Sequence, residues 1–154
     1  MATPGISTLG VEFGYGIGTP TVKPSAFTKL NRINNIAGIS LETEQIDASA
    51  LEDYVTRYVA GRQDTGGTFP VTVNITDDTI AEWQQLIADY NGKLTTECMW
   101  FEVWSPYLTN AFYIIAQPPQ VIPMPEQGQN SLMTVEISLI IDTYVGLDVA
   151  NRPV

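Results

Sequence analysis

The sequence predicts a mainly β chain with a single α-helix over about residues 77–91 and one long loop over about residues 48–67. Three observations carry this. Alternating apolar and polar residues recur in short runs bounded by Pro, Gly and Asn, the signature of half-buried strands. Only one stretch repeats its apolar residues at helical spacing. Between two alternating runs, Ser40–Asp47 and Thr68–Thr76, lie about twenty residues that are too long for a turn and poorly patterned for a buried element.

Residues 1–25 are rich in Gly, Pro, Thr and Ser and hold one short alternation, Val11, Phe13 and Tyr15 against Glu12 and the glycines. This stretch is expected to be an N-terminal arm with at most one strand, able to order on assembly. Ala26–Ile33 and Ser40–Asp47 read as strands joined around Asn34, Asn35 and Gly38, residues that tolerate positive φ in turns. The long loop follows, with the sequence ASALEDYVTRYVAGRQDTGG. Leu51, Tyr54, Val55, Tyr58 and Val59 give it an apolar and aromatic content that disordered segments lack. These side chains need burial; if the domain's own core does not supply it, another copy of the chain must. A short helix over Glu52–Val59 would instead let some of them pack at home.

Thr68–Thr76 places Phe69, Val71, Val73 and Ile75 on one face and Thr68, Thr72 and Asn74 on the other. Pro70 suits a strand whose start lies at an edge. For the helix, Thr76 or Asp77 serves as cap, Asp77 and Asp78 complement the positive end of the dipole, and Gly92 is expected to supply a left-handed stop. Between them Ile80, Trp83, Leu86, Ile87 and Tyr90 form one stripe that must cover a sheet. Glu97–Trp104, Ala111–Gln117 and Ser131–Val145 complete the β elements, separated by proline-rich turns. In the last of them Met133, Val135, Ile137, Leu139 and Ile141 oppose Thr134, Glu136, Ser138 and Asp142, so one long strand has an apolar and a wet face.

At 154 residues and 44% hydrophobic content the chain suffices for one domain, placed at residues 26–147, with residues 148–154 as a C-terminal tail. Seven Lys and Arg against seventeen Asp and Glu leave a formal charge of −10. No basic cluster of the kind that grips phosphate backbones occurs, so nucleic acid is expected to be repelled rather than read. Cys98 is the only cysteine and histidine is absent, which removes a disulfide framework and the usual zinc ligand sets and fits a reducing cytosol. The start resembles no cleaved signal, and no run approaches the ~18 apolar residues of a membrane span. The Asn74-Ile75-Thr76 sequon reads as an accident of strand composition.

Catalytic, metal and cofactor residues are not found. Acid-base work near neutrality would fall to carboxylates, one thiol and lysines. Asp77-Asp78 is more economically a helix start than a metal or catalytic dyad. Glu42 and Glu44 share a strand face and are spaced to flank a glycosidic bond, but a solvated acidic face is the plainer account. Cys98 has no histidine to act as its base and reads as a structural thiol. Gly14, Gly16 and Gly18 match neither phosphate-binding glycine pattern. Trp83, Trp100 and Trp104, with Glu102 on the same strand face as the last two, leave a sugar-binding platform open as an alternative to core or subunit contacts.

From Ile46 onward the chain runs Ile46-Asp47, Leu51, Asp53, then Gly61-Arg62-Gln63-Asp64-Thr65-Gly66-Gly67, then the alternating strand with Asn74. This pattern resembles the tail tube proteins (major tail proteins) of long, non-contractile-tailed bacteriophages, with Ser49 where the family commonly has Thr. The run Phe27-Thr28-Lys29-Leu30 before a turn and Gly38 is similar to the strand that leads into that family's turn. The resemblance covers roughly residues 26–145 in element order. It implies a β-sandwich or partly closed barrel with a flanking helix, related in fold to the Hcp tube proteins of type VI secretion. It further implies a structural virion protein, not an enzyme, made in the bacterial host cytoplasm and located in the tail. Six copies would close into a ring, and rings would stack into a tube that conducts the genome without binding it. The other implied partners are the tape measure, terminator and tip proteins. Polar faces opposite the apolar ones then nominate Glu42, Glu44, Thr72, Asn74 and Glu136 as lumen-facing, with the register able to invert that choice. A tube protein of a secretion or tailocin apparatus and a β-sandwich carbohydrate-binding module are the alternatives.

Overall fold

The computed structural model describes residues 4–154. Its strands are β1 (Glu12–Gly18), β2 (Thr28–Leu30), β3 (Ile33–Ile36), β4 (Glu42–Asp47), β5 (Tyr58–Asp64), β6 (Thr68–Asn74), β7 (Cys98–Trp104), β8 (Asn110–Gln117) and β9 (Thr134–Val149). The helix α1 (Asp77–Gly92) lies between β6 and β7. Seven strands form one antiparallel sheet in the order β2-β1-β7-β8-β9-β6-β3, and β4 and β5 form a separate hairpin.

The large sheet is curled. β7, β8 and β9 stand between β1 and β6, a separation of roughly 19 Å in a flat sheet with strands about 4.8 Å apart. Yet the rings of Phe13 in β1 and Phe69 in β6 are 6.3 Å apart. The sheet therefore folds over on its own apolar face, as in a sandwich. Its edges β2 and β3 do not pair, so it stays an open barrel.

Strand periodicity sets which residues meet inside. Val71 and Val73 of β6 and Val135, Ile137 and Leu139 of β9 are buried with Phe13, Met99 and Phe101, while Glu136 and Ser138 face solvent. The strand β9 begins three residues later and ends four later than the sequence suggested. It reaches this length because its first half pairs with β6 and its second half with β8.

The Gly-rich N-terminal segment is not a detached arm. Within residues 1–25, of which 1–3 lie outside the described part, β1 pairs along its whole length with β7. Phe13 and Tyr15 enter the core, and the glycines face the other way so that chain can cross directly over them. A Cβ at Gly14 would lie 2.7 Å from Pro153 and 2.9 Å from the Thr28 carbonyl oxygen, and one at Gly18 would lie 2.9 Å from the Val22 carbonyl. The last residues are likewise no free tail. Val154 N–H donates to the Phe27 carbonyl and Lys29 N–H to the Val154 carbonyl, so the C-terminal segment covers the β1–β2 side of the sheet. The crossing segments give β7 and β8 a second core of Phe27, Trp100, Ala111, Tyr113 and Ile115. These two strands are thus buried on both faces, which their nearly continuous apolar runs reflect.

Two local expectations are corrected. The turn before β3 is made by Asn31-Arg32, with Arg32 at φ 57, while Asn34 and Asn35 sit in a bulged β3 paired with β6. Asn31 is held there because its backbone N–H donates to Glu82 of α1 at 2.9 Å. At the helix end, Gly92 stays within the helix and extended Lys93 is the C-cap. The helix start is as read: Thr76 caps it, with Thr79 completing the capping box. Trp83 and Leu86 are buried, and Ile87 and Tyr90 pack against the same core. The helix closes one end of the curled sheet.

Candidate functional site

The segment read as a long loop is an arm. Residues 48–57 form its tip, but Tyr58–Asp64 is strand, paired antiparallel with β4 from Glu42↔Asp64 to Asp47↔Tyr58. The periodicity was hidden by Gly61, which lies opposite a bulge and leaves room for Glu44 and Ile46; a Cβ there would come within 3.1 Å of Glu44. Glu52–Val59 forms no helix. Short side-chain bonds shape the tip instead: Ser49 N–H donates to Asp47 Oδ1 at 2.9 Å, Ala50 N–H to Asp53 Oδ2 at 2.8 Å, and Arg57 N–H to Ser49 Oγ at 2.8 Å. The Ser49 N–H holds the Asp47 carboxyl below its ordinary pKa. At the root, Gly66 N–H donates to Asp64, and Gly66 and Gly67 take positive φ to swing the arm out of line with β6. Most residues that carry the family resemblance, Asp47, Asp53, Gly61, Asp64 and Gly66, are therefore those that bend and brace the arm. Ser49 supplies the needed hydroxyl.

The arm's apolar residues are left largely uncovered by the described residues. Leu51 and Tyr54 are as exposed as in an extended peptide, 108% and 104% of reference, and Val55, Tyr58, Val59 and Ile46 are also exposed. The core of the large sheet is complete without them. Nothing in a free chain stabilises such a patch in water, and contiguous exposed apolar groups mark contact surfaces.

A second surface is the wet face of β6 and β9. Thr72 lies opposite Glu136 and Asn74 opposite Thr134, and Asn34 Nδ2 donates to Asn74 Oδ1 at 3.0 Å. Thr72, Asn74 and Glu136 thus form one polar surface. Glu42 and Glu44 stand apart from it on the hairpin.

A third feature was not foreseen. Residues 33–39, parts of β6, β7, β8 and β9, and Thr8 and Val11 surround a largely apolar groove of about 530 Å³. The sequence held only a hint of it in Ile36 and Ile39, whose hydrophobicity is out of place in a stretch read as a turn.

Beneath β1 lies a buried polar cluster. Glu102 is 0% exposed, with its Oε2 2.7 Å from Tyr113 Oη and accepting from Asn151 N–H at 2.9 Å, while its Oε1 has no partner among the described residues. Tyr113 Oη also lies 2.6 Å from the Val149 carbonyl. One hydroxyl hydrogen cannot serve two acceptors, so the cluster is best satisfied when Glu102 carries a proton and donates to Tyr113. Burial raises the Glu102 pKa in the same direction. This cluster ties the C-terminal segment to the sheet.

The tryptophans form no open platform. Trp83 and Trp100 are buried, with Trp100 Nε1 donating to the Thr19 carbonyl at 3.1 Å, and Arg152 stacks over Trp104 at 4.7 Å. Cys98 is half-buried, and burial raises its pKa, which disfavours the thiolate.

No family model and no curated protein sequence matches the chain. Solved structures do. Over 96% of this chain and 100% of the other, the fold matches a chain from the tail of an empty GTA particle with C6 symmetry, at 14% identity and a TM-score of 0.59. A chain of the PVC extracellular contractile injection system, solved as its sheath/tube terminator in the extended state, matches 97% of this chain over 100% of its own length, at 12% identity and TM-score 0.61. A chain of the six-fold symmetrised anti-feeding prophage baseplate matches over 97% of both chains at 11% identity and TM-score 0.51. The mainly β, one-helix fold of this chain is thus a tail tube-like fold, as the sequence resemblance implied.

Proposed function

We propose that this chain is a structural tail protein whose copies form six-membered rings that stack into a tube for genome delivery. The observation that carries the reading is the arm: Leu51 and Tyr54 stand fully exposed on a hairpin that pairs with no other described strand. Where such a surface meets a different surface of the next copy the contact is heterologous, and a repeated heterologous contact makes rings or filaments. The six-fold symmetry of the matched GTA tail and prophage baseplate supports six as the number.

In this role the chain is not an enzyme and has no cofactor. It acts as a wall. Thr72, Asn74 and Glu136 are the better lumen candidates, because they share one polar strand face, whereas Glu42 and Glu44 belong to the arm. Six copies at −10 each carry about −60, and the share facing the lumen keeps phosphates from adhering. The tape measure, terminator and tip proteins are the proposed further partners, and the virion tail, after synthesis in the host cytoplasm, is the proposed location. Residues 26–147 are proposed as the tube domain, with β1 and the C-terminal segment added to it.

A second reading, a tube protein of a contractile injection or tailocin apparatus, is favoured by the matches to the PVC terminator and the prophage baseplate. Electron microscopy of the concentrated, purified chain tests the common core of both. Rings or tubes with a central channel are expected, and particles of subunit size under all conditions would refute it.

A further inference from the structure

We infer that the apolar groove bordered by residues 33–39 receives the arm tip of a second copy. This rests on the assembly reading above and specifies where its contact falls. The walls of the groove are mainly apolar, with Ile36, Ile39, Phe112 and Tyr144 among them and Thr8, Asn34 and Asn35 as the polar part, and none of its lining residues is charged. The tip that fits such a site must be apolar and must not strand an ion inside it. Leu51, Tyr54 and Val55 provide the apolar surface. Of the tip's charges, Arg57 is neutralised by Asp53 at 3.1 Å, and exposed Glu52 must stay at the rim, in water, when the tip is seated.

The chain's own tip does not occupy its groove, since Leu51 and Tyr54 are fully exposed while the groove stands open. Knob and hole on separate parts of one chain join copy to copy in series. The size of the contact sets its strength. Tyr54 at about 150–250 Å² when fully buried, with the smaller Leu51 and Val55 at about 60–120 Å² each, offers on the order of 400 Å². A stable interface covers about 800 Å² per partner. One seated arm therefore does not hold a dimer, and the contact persists only where several arms seat together on a ring.

Two single-cysteine variants made in a Cys98→Ser background test this. Leu51→Cys labels the tip. Gly38→Cys labels the groove rim, where a Cβ meets nothing within 4 Å. Mixed, concentrated and mildly oxidised, they are expected to give about ten-fold more mixed disulfide than Leu51→Cys with Ala88→Cys, on the exposed face of α1. In dilute solution the excess should vanish. Rings or tubes by microscopy without that excess would overturn the groove contact and leave the assembly reading standing. No assembled particles at all would overturn both. A disulfide within single molecules of the dilute Leu51→Cys/Gly38→Cys double variant would show each arm filling its own groove, and would also overturn the inference.

Discussion

Replacing Leu51, Tyr54 and Tyr58 together by Ser separates folding from assembly. Serine is preferred to aspartate because Tyr58 lies opposite Asp47 in the hairpin, where a second carboxylate would be repelled. In the free chain the three side chains are exposed at 108%, 104% and 58%, so Leu51 and Tyr54 lose no burial and Tyr58 loses about 80 Å², or roughly 2 kcal/mol. Exposed substitutions cost within about 0.5 kcal/mol each, so the total is about 3 kcal/mol and the melting temperature should fall by no more than about 12 °C. In the assembled state the same side chains become covered. Scaling about 200 Å² per tyrosine by these exposures gives roughly 320 Å², or about 8 kcal/mol at 25 cal/mol/Å². Leu51 adds about 2 kcal/mol. That gross gain of roughly 10 kcal/mol per arm is comparable to the 4–15 kcal/mol cost of association, so its loss should abolish assembly. Circular dichroism and sedimentation velocity on the same samples give both readouts. A melting temperature lowered by more than about 15 °C would place these residues in the folded core. Assembly at the unmodified concentration would show that the arm is not the contact.

Three further outcomes follow from the same structure. Gly14→Ala drives a methyl group to 2.7 Å from Pro153 and 2.9 Å from a carbonyl oxygen, and should cost about 1–3 kcal/mol, seen as a lower denaturant midpoint. Glu102 has its pKa raised by burial, so the folded chain binds its proton more tightly than the unfolded one. The stabilisation is full below the unfolded carboxyl pKa and is lost as pH rises through the folded value. Glu102→Gln should therefore melt above the parent at pH 8, with the gap closing toward pH 4; a gap that widens in acid would contradict the proton assignment. If Glu136 faces the lumen, Glu136→Lys tubes should retain short duplex DNA at low salt and release it as salt rises. Retention equal to the parent would remove the β6–β9 face from the lumen.

Much of the fold was legible because its strands are half-buried. In β6 and the first half of β9 the alternation of Val, Ile and Leu with Thr, Ser and Glu gives the inner face directly, and Thr76 with the Trp83–Leu86 stripe gives the helix. What was missed lies where glycine or context sets the conformation. The strand β1 looked like an arm because its glycines, needed for the close crossing of Pro153 and residues 22–28, mimic a flexible composition. The strand β5 looked like loop because Gly61 and the absence of a buried face erase the alternation. Of the candidate surfaces, the exposed Leu51–Val59 residues were readable as side chains in search of a partner. The groove was not, since it exists only where β6 through β9 and residues 33–39 converge in the curled sheet. The polar face of Thr72, Asn74 and Glu136 was readable from strand parity, but its separation from Glu42 and Glu44 needed the topology.

The central claim is that this chain is built to assemble through its arm. Sedimentation velocity of the unmodified chain across a wide concentration series tests it most directly. A monomer when dilute, giving way with little dimer to ring-sized or longer particles above a threshold concentration, is the predicted result. A single monomeric boundary at every concentration, or a stable dimer that grows no further, would contradict it.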